Sequence, residues 1–468
     1  MTAMGWKRGL VTAGAMFLGL SVAVSSWAQG MYYKEFKKDG RIYVFNIKAN
    51  ADRFAASGET GVGLTRLSHG PNGETCFFDN EQAMDLFNFK YGIDAVVERP
   101  KPPTQTIVWR DGKTRITTDN AYLELSNRIQ VRWTQELPDD TVQLAGTAAK
   151  GDGKGSFRIR RSKTKFEGWV FKNWIQYEVQ ANWPALTGSN VGAILEDANI
   201  NWDVSKGKKK FMVKFGQFKV PFGLQELTSS GAQQFVDRTD VSNRYARGRE
   251  TGVSLWGVLG ANKLEWRVGA SNGNGLTRSA NDNDKYQYNA RVVWQPNGVA
   301  PLGTYSGALQ SESDFESTDK PLFALAGNFE SNDKFNATTS TDTKDTIWGG
   351  DLIFKYKRLF ATAAYFNKEA TPEGATAGTE GPKFKDKGWY VQAGYLLNSK
   401  RTWEVAFRYT QTDPSDLKSG DDRSEIGGAL NYFYSRHNLK VQADFRQIED
   451  DAAKTKNQEL RVQTQIIF

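Results

Sequence analysis

From Asn120 to Phe468 the chain keeps returning to one pattern, in which every second residue is apolar and the residues between are polar or charged. Leu123, Leu125, Ile129, Val131 and Trp133 interleave with Glu124, Ser126, Arg128, Gln130 and Arg132. Tyr286, Tyr288, Ala290, Val292 and Trp294 interleave with Gln287, Asn289 and Arg291, and Leu439, Val441, Ala443 and Phe445 with Lys440, Gln442, Asp444 and Arg446. A period of two predicts strands with one oily and one polar face. About sixteen such segments recur, the first near 121–136 and the last near 457–468.

The connections carry as much information as the strands. They run long then short: 137–155 and Lys172-Asn173, 185–192 and Ser205-Lys-Gly-Lys208, 219–248 and Gly260-Ala-Asn262. Tight turns return at Lys357-Arg358, Asn398-Ser-Lys400 and Ser435-Arg-His437. That parity predicts a transmembrane antiparallel β-barrel with short turns at one rim, long loops at the other, and an even strand number. One connection, 297–320, is long where a short turn is due. It marks either an excursion at the short-turn rim or a miscounted strand.

Residues 31–100 read differently. Gly40-Arg-Ile-Tyr-Val-Phe-Asn46 predicts a strand, and Asp79 to Asn88 an amphipathic helix with Asp79 as N-cap and Ala83, Met84 and Phe87 on its inner face. Lys34, Lys37 and Lys38 read as a solvated face, and Pro100-Lys-Pro-Pro103 as a stiff linker. Ahead of this, Lys7 and Arg8, the apolar run Gly9 to Val24 and Ser26-Trp27-Ala28 form a secretory signal peptide. The expected organisation is a signal peptide at 1–28, a small α+β module with linker at 29–103, and the barrel at 104–468.

Composition fits that organisation. The aromatic content (14 Trp, 17 Tyr, 28 Phe) suits the interfacial girdles of a barrel, and 45 glycines against 13 prolines suit its turns. A single cysteine, Cys76, excludes an intramolecular disulfide, and two histidines leave no Cys/His metal cluster to propose. No nucleophile elbow or Ser-His pair is present, so neither an enzyme nor a cofactor is expected. The formal charge of +8 falls to +6 once Lys7 and Arg8 leave with the signal peptide. A mildly basic secreted protein suits anions or anionic surfaces; nucleic acid is not an expected partner.

The placement of charge says more. If the apolar phase faces lipid, the polar phase points Arg128, Arg132, Arg158, Arg160, Arg267, Arg291, Arg408, Arg446 and Arg461 into the lumen. Arginine stays protonated, and its planar fork matches phosphate and carboxylate oxygens. In 156–170 the phase slips between Arg160 and Arg161, which predicts a bulge keeping both inside, because a charge on the lipid face costs roughly 2–4 kcal/mol. Along Arg158, Arg160, Arg161, Lys163 and Lys165 only Glu167 opposes, which favours an anion path. Arg408 with Glu404 reads instead as a structural ion pair.

Two stretches go beyond architecture. One is Phe157-Arg-Ile-Arg-Arg-Ser-Lys-Thr-Lys-Phe-Glu-Gly168. The other is Gly216-Gln-Phe-Lys-Val-Pro-Phe-Gly-Leu-Gln-Glu-Leu, continuing through Phe235-Val-Asp-Arg238 to Arg247-Gly-Arg-Glu-Thr-Gly252. Together they resemble the phosphate-selective porin O/P family over most of 119–468. The resemblance implies sixteen strands, a trimer, and a loop after the fifth strand that folds inward to narrow the pore. It places Lys219, Arg238, Arg244, Arg247 and Arg249 in or beside the constriction, and Arg160 with Arg161 at the anion site. Lys219 stands where the family's phosphate-specific members would place an acid. Phe468, closing an alternating strand, resembles the assembly signal read by the barrel assembly machinery.

The expectation is therefore a Gram-negative outer-membrane porin passing anions, phosphate or polyphosphate among them, in contact with lipid and lipopolysaccharide, with its front module periplasmic. The competing reading is a tethering barrel whose front module binds a periplasmic partner.

Overall fold

The computed structural model describes residues 32–93, 106–137, 153–183, 194–276, 280–297, 311–317, 319–336, 341–373 and 379–468. The signal peptide, the Pro100–Pro103 linker and residues 138–152 of the first long connection lie outside them. The chain divides into two compact units between Pro102 and Pro103.

In the first unit, β1 (Lys34–Lys38) and β2 (Arg41–Phe45) form a hairpin. Asp39 and Gly40 turn it with φ of 52° and 70°, the left-handed pair that matches strand twist. β2 runs parallel to β4 (Thr75–Phe78), and β3 (Leu64–Arg66) pairs antiparallel with β4. Because side chains alternate, each face of this sheet covers a different core. Ile42, Val44, Cys76 and Phe78 cluster with Met84 and Phe87 of α2 (Glu81–Tyr91). Phe45 and Phe77 cluster with Ala51 and Phe54 of α1 (Lys48–Ser57). Asn80, not Asp79, caps α2, its side chain accepting from the Ala83 amide at 3.0 Å. Asp79 instead accepts from the Asn46 and Ile47 amides, each at 3.2 Å, and so organises the start of α1. Sequence pattern missed α1 because all its apolar residues except Phe54 are alanines, which give little contrast between its faces.

The second unit is a closed barrel. Its strands begin with β7 (Ala121–Leu137), β8 (Gly155–Val170), β9 (Lys172–Asn182), β10 (Ile194–Asp203) and β11 (Met212–Lys219). There follow β12 (Arg249–Leu259), β13 (Leu264–Ser271), β14 (Gln287–Trp294), β15 (Leu322–Asn336) and β16 (Thr341–Tyr356). The last six are β17 (Leu359–Pro372), β18 (Phe384–Leu396), β19 (Trp403–Asp413), β20 (Arg423–Ser435), β21 (Leu439–Asp450) and β22 (Thr455–Ile467). β22 closes the barrel on β7, with Ile466 opposite Ile129 and Gln458 opposite Leu137. The Phe468 amide donates to the Asn127 carbonyl at 3.0 Å, and Phe468 continues the exposed apolar row. Below that seam a hairpin not expected from the sequence, β5 (Thr106–Arg110) and β6 (Lys113–Thr117), pairs with residues 122–125 of the same β7 edge.

Burial is inverted relative to a soluble protein. Val131, Phe215, Val292 and Phe407 are 46%, 53%, 49% and 52% exposed, while Arg132, Arg291, Arg408 and Arg461 are buried. The apolar phase therefore forms the outer wall, and the polar phase faces a filled interior. The slip in β8 is a bulge. Gln130 pairs with Arg161 and Val131 with Ile159, leaving Arg160 as the extra residue.

Candidate functional site

The loop after the fifth barrel strand, 220–248, folds into the lumen and is held there by an apolar surface on the inner wall. Val220, Phe222, Val241 and Tyr245 cluster with Ile347, Ala364, Phe366 and Tyr390 of β16, β17 and β18. The Phe222 and Tyr245 rings each lie 5.5 Å from Phe366. Two short helices stiffen the loop: α3 (Leu224–Leu227) and α4 (Asp240–Tyr245), the latter capped by the Thr239 hydroxyl, which accepts from Ser242 N at 2.9 Å. Glycines in the wall admit it: a Cβ on Gly388 would stand 2.6 Å from the Tyr245 ring, and one on Gly394 2.0 Å from Gln234 Nε2.

A second insertion meets it from the opposite rim. The long 297–320 connection is an excursion, not a miscounted strand, since β14 and β15 pair directly across it. Its residues 311–317 enter the barrel, where Glu312 accepts from Gln234 N at 2.7 Å and Gln392 Nε2 at 2.8 Å and donates its own amide to the Ala232 carbonyl. Phe315 sits against Phe433 and Leu396. Lys355 donates to the Ser313 carbonyl, Arg358 N to Asp314, and Arg436 pairs with Glu316 at 2.8 Å.

Between loop and wall lie the charged side chains. Asp237, on the inward loop, receives Arg132, Arg160 at 3.2 Å and Arg161 at 3.5 Å, with Arg461 at 3.8 Å. Arg461 turns chiefly to Asp444, at 2.7 and 2.9 Å. One carboxylate is thus shared by three guanidiniums. Arg128 is buried beside them, donating to the Ser229 hydroxyl at 3.0 Å. Its Nε and the Nε of Arg160 are buried without a partner among the described residues. Arg158 is exposed and has no hydrogen-bonding or ionic partner among them. Lys163 and Arg249 share Glu196, and Arg249 also grips Asp197 at 2.8 Å.

The remaining basic residues have other partners. Lys219 and Arg238 bend onto loop carbonyls: Lys219 to Glu226 O at 2.6 Å, Arg238 to Gln225 O at 2.9 Å and Thr228 O at 3.1 Å. They hold α3 in place. Arg244 pairs with Asp386 at 2.7 Å and Arg247 with Glu330 at 2.8 Å, riveting the loop to the wall. Arg267 pairs with Glu265, Arg291 with Asp351 at 2.6 and 2.7 Å, and Arg446 with Glu459 at 2.8 Å and Glu425 at 3.1 Å. Arg408 pairs with Glu425, not with Glu404, which accepts from Gln234 and Asn431. The carboxylates opposing the β8 cluster also exceed Glu167: Glu178 on β9, Glu196 on β10 and Asp237 on the inward loop all serve it. Among the described residues no group of three or more His, Cys, Asp or Glu side chains is arranged to hold a metal ion.

A closed sixteen-strand barrel with an oily outer wall and a charged, loop-narrowed interior is an outer-membrane channel. The family model for phosphate-selective porin O and P matches residues 131–468, and the chain belongs to that family. It is an outer-membrane porin of the Gram-negative type. Porin O of Pseudomonas aeruginosa is 23% identical over 378 residues, covering 73% of this chain and 80% of that one. An uncharacterised protein of Aquifex aeolicus is 21% identical over 282 residues, covering 55% and 65%. The outer-membrane channel DcaP of Acinetobacter baumannii shares the fold at a TM-score of 0.52 and 11% identity, over 75% of this chain and 98% of its own.

Proposed function

We propose that this porin passively conducts anions, phosphate among them, along the arginine-rich side of the lumen formed by β7, β8 and the inward loop. The observation that carries the reading is the excess of guanidinium over carboxylate around Asp237, together with the unpartnered N–H groups of Arg128 and Arg160. Buried donors without acceptors are costly in a finished fold, and an oxyanion would complete them. Bidentate ion pairs such as Arg249–Asp197, at 3.0 and 2.8 Å, are already complete and brace the wall. We assign the module at 29–103 to the periplasm, because β7 rises from the short-turn rim. A homotrimer is the assembly the family leads one to expect.

Single-channel recording in a planar bilayer under a KCl gradient, followed by phosphate titration, tests the reading. The reversal potential should show anion preference, with phosphate blocking the chloride current. Arg160→Ala and Arg161→Ala should each raise the blocking concentration about tenfold or more, as expected from losing a charged hydrogen bond worth roughly 1.5–3 kcal/mol. Anion preference without phosphate block would make this a general anion pore, and cation preference would refute the proposal. A chain lacking 29–103 that keeps its conductance would remove the tethering alternative.

A further inference from the structure

The short-turn rim carries a charge pattern that conduction does not use. Seven connections join barrel strands at this end, and each displays at least one exposed lysine or arginine within it or at its edge. Six of them present Lys172, Lys263, Lys320, Lys357, Lys400 and Arg436. The seventh, between β10 and β11, differs in kind. It spends eight residues, Val204 to Phe211, where Lys357-Arg358 turns in two, and it reads Val-Ser-Lys-Gly-Lys-Lys-Lys-Phe.

This turn is built around one buried carboxylate. Asp203 accepts from the amides of Ser205 at 2.9 Å, Gly207 at 2.8 Å and Lys209 at 3.0 Å, and from the Ser205 hydroxyl. The same hydroxyl oxygen accepts from the Lys210 amide at 2.9 Å. Lys206 and Lys209 are held at φ of 53° and 52°, a left-handed conformation that lysine adopts only when its surroundings dictate it. The carboxylate thus freezes the backbone and leaves Lys206, Lys208 and Lys210 exposed. Beside them on the outer wall stand Trp202, 49% exposed, and Phe211, whose ring lies 6.1 Å from Trp266. Aromatic rings of this kind mark the edge of the hydrocarbon layer, so the lysines sit at head-group depth. Elsewhere on the rim, Lys357 lies over Tyr356 and Arg358 over Tyr395, both rings on the outward phase. Lys357 and Arg358 thus lean toward the bilayer, whereas Arg436 turns to Glu316 and the Phe315 ring.

We propose that the β10–β11 turn is a binding site for anionic phospholipid head groups of the inner leaflet, with the neighbouring rim cations extending it around the barrel. Charge complementarity supplies the attraction, the aromatic edge sets the depth, and the Asp203-centred backbone fixes the spacing of the lysines. The occupant shares its phosphate with the solutes of the pore but is distinguished by its acyl chains.

Native mass spectrometry of the purified full chain, titrated in detergent with phosphatidylglycerol or phosphatidylcholine, provides the test. Phosphatidylglycerol adducts should be retained preferentially, and each of Lys206→Gln, Lys208→Gln and Lys210→Gln should weaken that preference by up to about fivefold, the factor equivalent to ~1 kcal/mol per basic side chain at an anionic surface. Asp203→Asn separates a built site from bulk charge. It adds to the net positive charge while loosening the turn, so retention should fall; a rise would overturn the proposal in favour of simple charge attraction. Equal retention of both lipids, an unchanged triple lysine variant, or displacement of the lipid by an equal concentration of inorganic phosphate would each overturn it as well. All variants should keep the heat-resistant mobility of a folded barrel, which ties any loss to the turn.

Discussion

Asp237 holds a position that no reading of β8 alone reveals. Its carboxylate hangs from the inward loop into a group of arginines contributed by β7 and β8, and it acts as a tethered anion among them. On the proposed anion path, a permeating ion would share these guanidiniums with it. Asp237→Asn should therefore increase the anion-to-cation permeability ratio and shift phosphate block to lower concentration, both read from reversal potentials and titrated currents. The bulge at Arg160 makes the cluster possible, because it lets two consecutive arginines face inward. The phase slip of that bulge is visible in the order of residues; its acidic partner, 77 residues further along the chain, is not.

Glu35 offers a residue-scale prediction in the front module. Burial opposes its ionisation, yet hydrogen bonds from Tyr33, Lys90 and Tyr91 hold its pKa below the ordinary 4.5. A depressed folded-state value means that its stabilising contribution is present above about pH 4.5 and is lost as pH falls through the folded pKa. Cys76, fully buried with its thiol pushed up to about 11 by burial, reports on this unit as the chain's single cysteine. Reaction of the full chain with 4,4′-dithiodipyridine should accelerate as pH drops below 4.5. Glu35→Gln should react faster than the native chain at neutral pH and lose that acid dependence.

At the scale of elements, β17 explains where the inward loop goes. Most barrel strands alternate cleanly, but Leu359-Phe360 and Tyr365-Phe366 put large apolar residues on both phases. Phe360 and Phe366 are buried inside the barrel, against Leu224 and Phe222 of the loop. Phe366→Ala removes a wholly buried ring, a change that costs about 3–5 kcal/mol in a packed core. Because it undercuts the loop and not the hydrogen-bonded wall, conductance should rise and anion preference fall while the barrel still migrates as folded in unheated gels. The strands, their parity and their outward faces were legible because a bilayer enforces a period of two on every segment. The docking surface was legible only as an exception to that period, and the β5–β6 hairpin not at all, since its five-residue strands are too short to show a pattern. Arg132, Arg291, Arg408 and Arg461 are buried inside the barrel, but their partners were not legible, as Arg408 shows: its carboxylate lies on the next strand, at Glu425, and not two turns of the pleat away at Glu404.

Taken as a whole, the barrel is entered from both rims. The loop 220–248 and the segment 311–317 meet at Glu312 and Gln234, and each is separately fastened to the wall, the loop by Arg244–Asp386 and Arg247–Glu330, the segment by Lys355, Arg358 and Arg436. A constriction clamped at so many points has little freedom to change its width from moment to moment. The electrical counterpart is a quiet open state: current through a single pore should show a flat power spectrum, with little excess variance at low frequency. Glu312→Ala leaves every wall strand intact but loosens the tip of the loop, which Glu404, Gln392 and Asn431 still hold at Gln234. Its signature should be a rise in low-frequency noise and brief flickers on the microsecond-to-millisecond scale of loop motion, with little change in mean current.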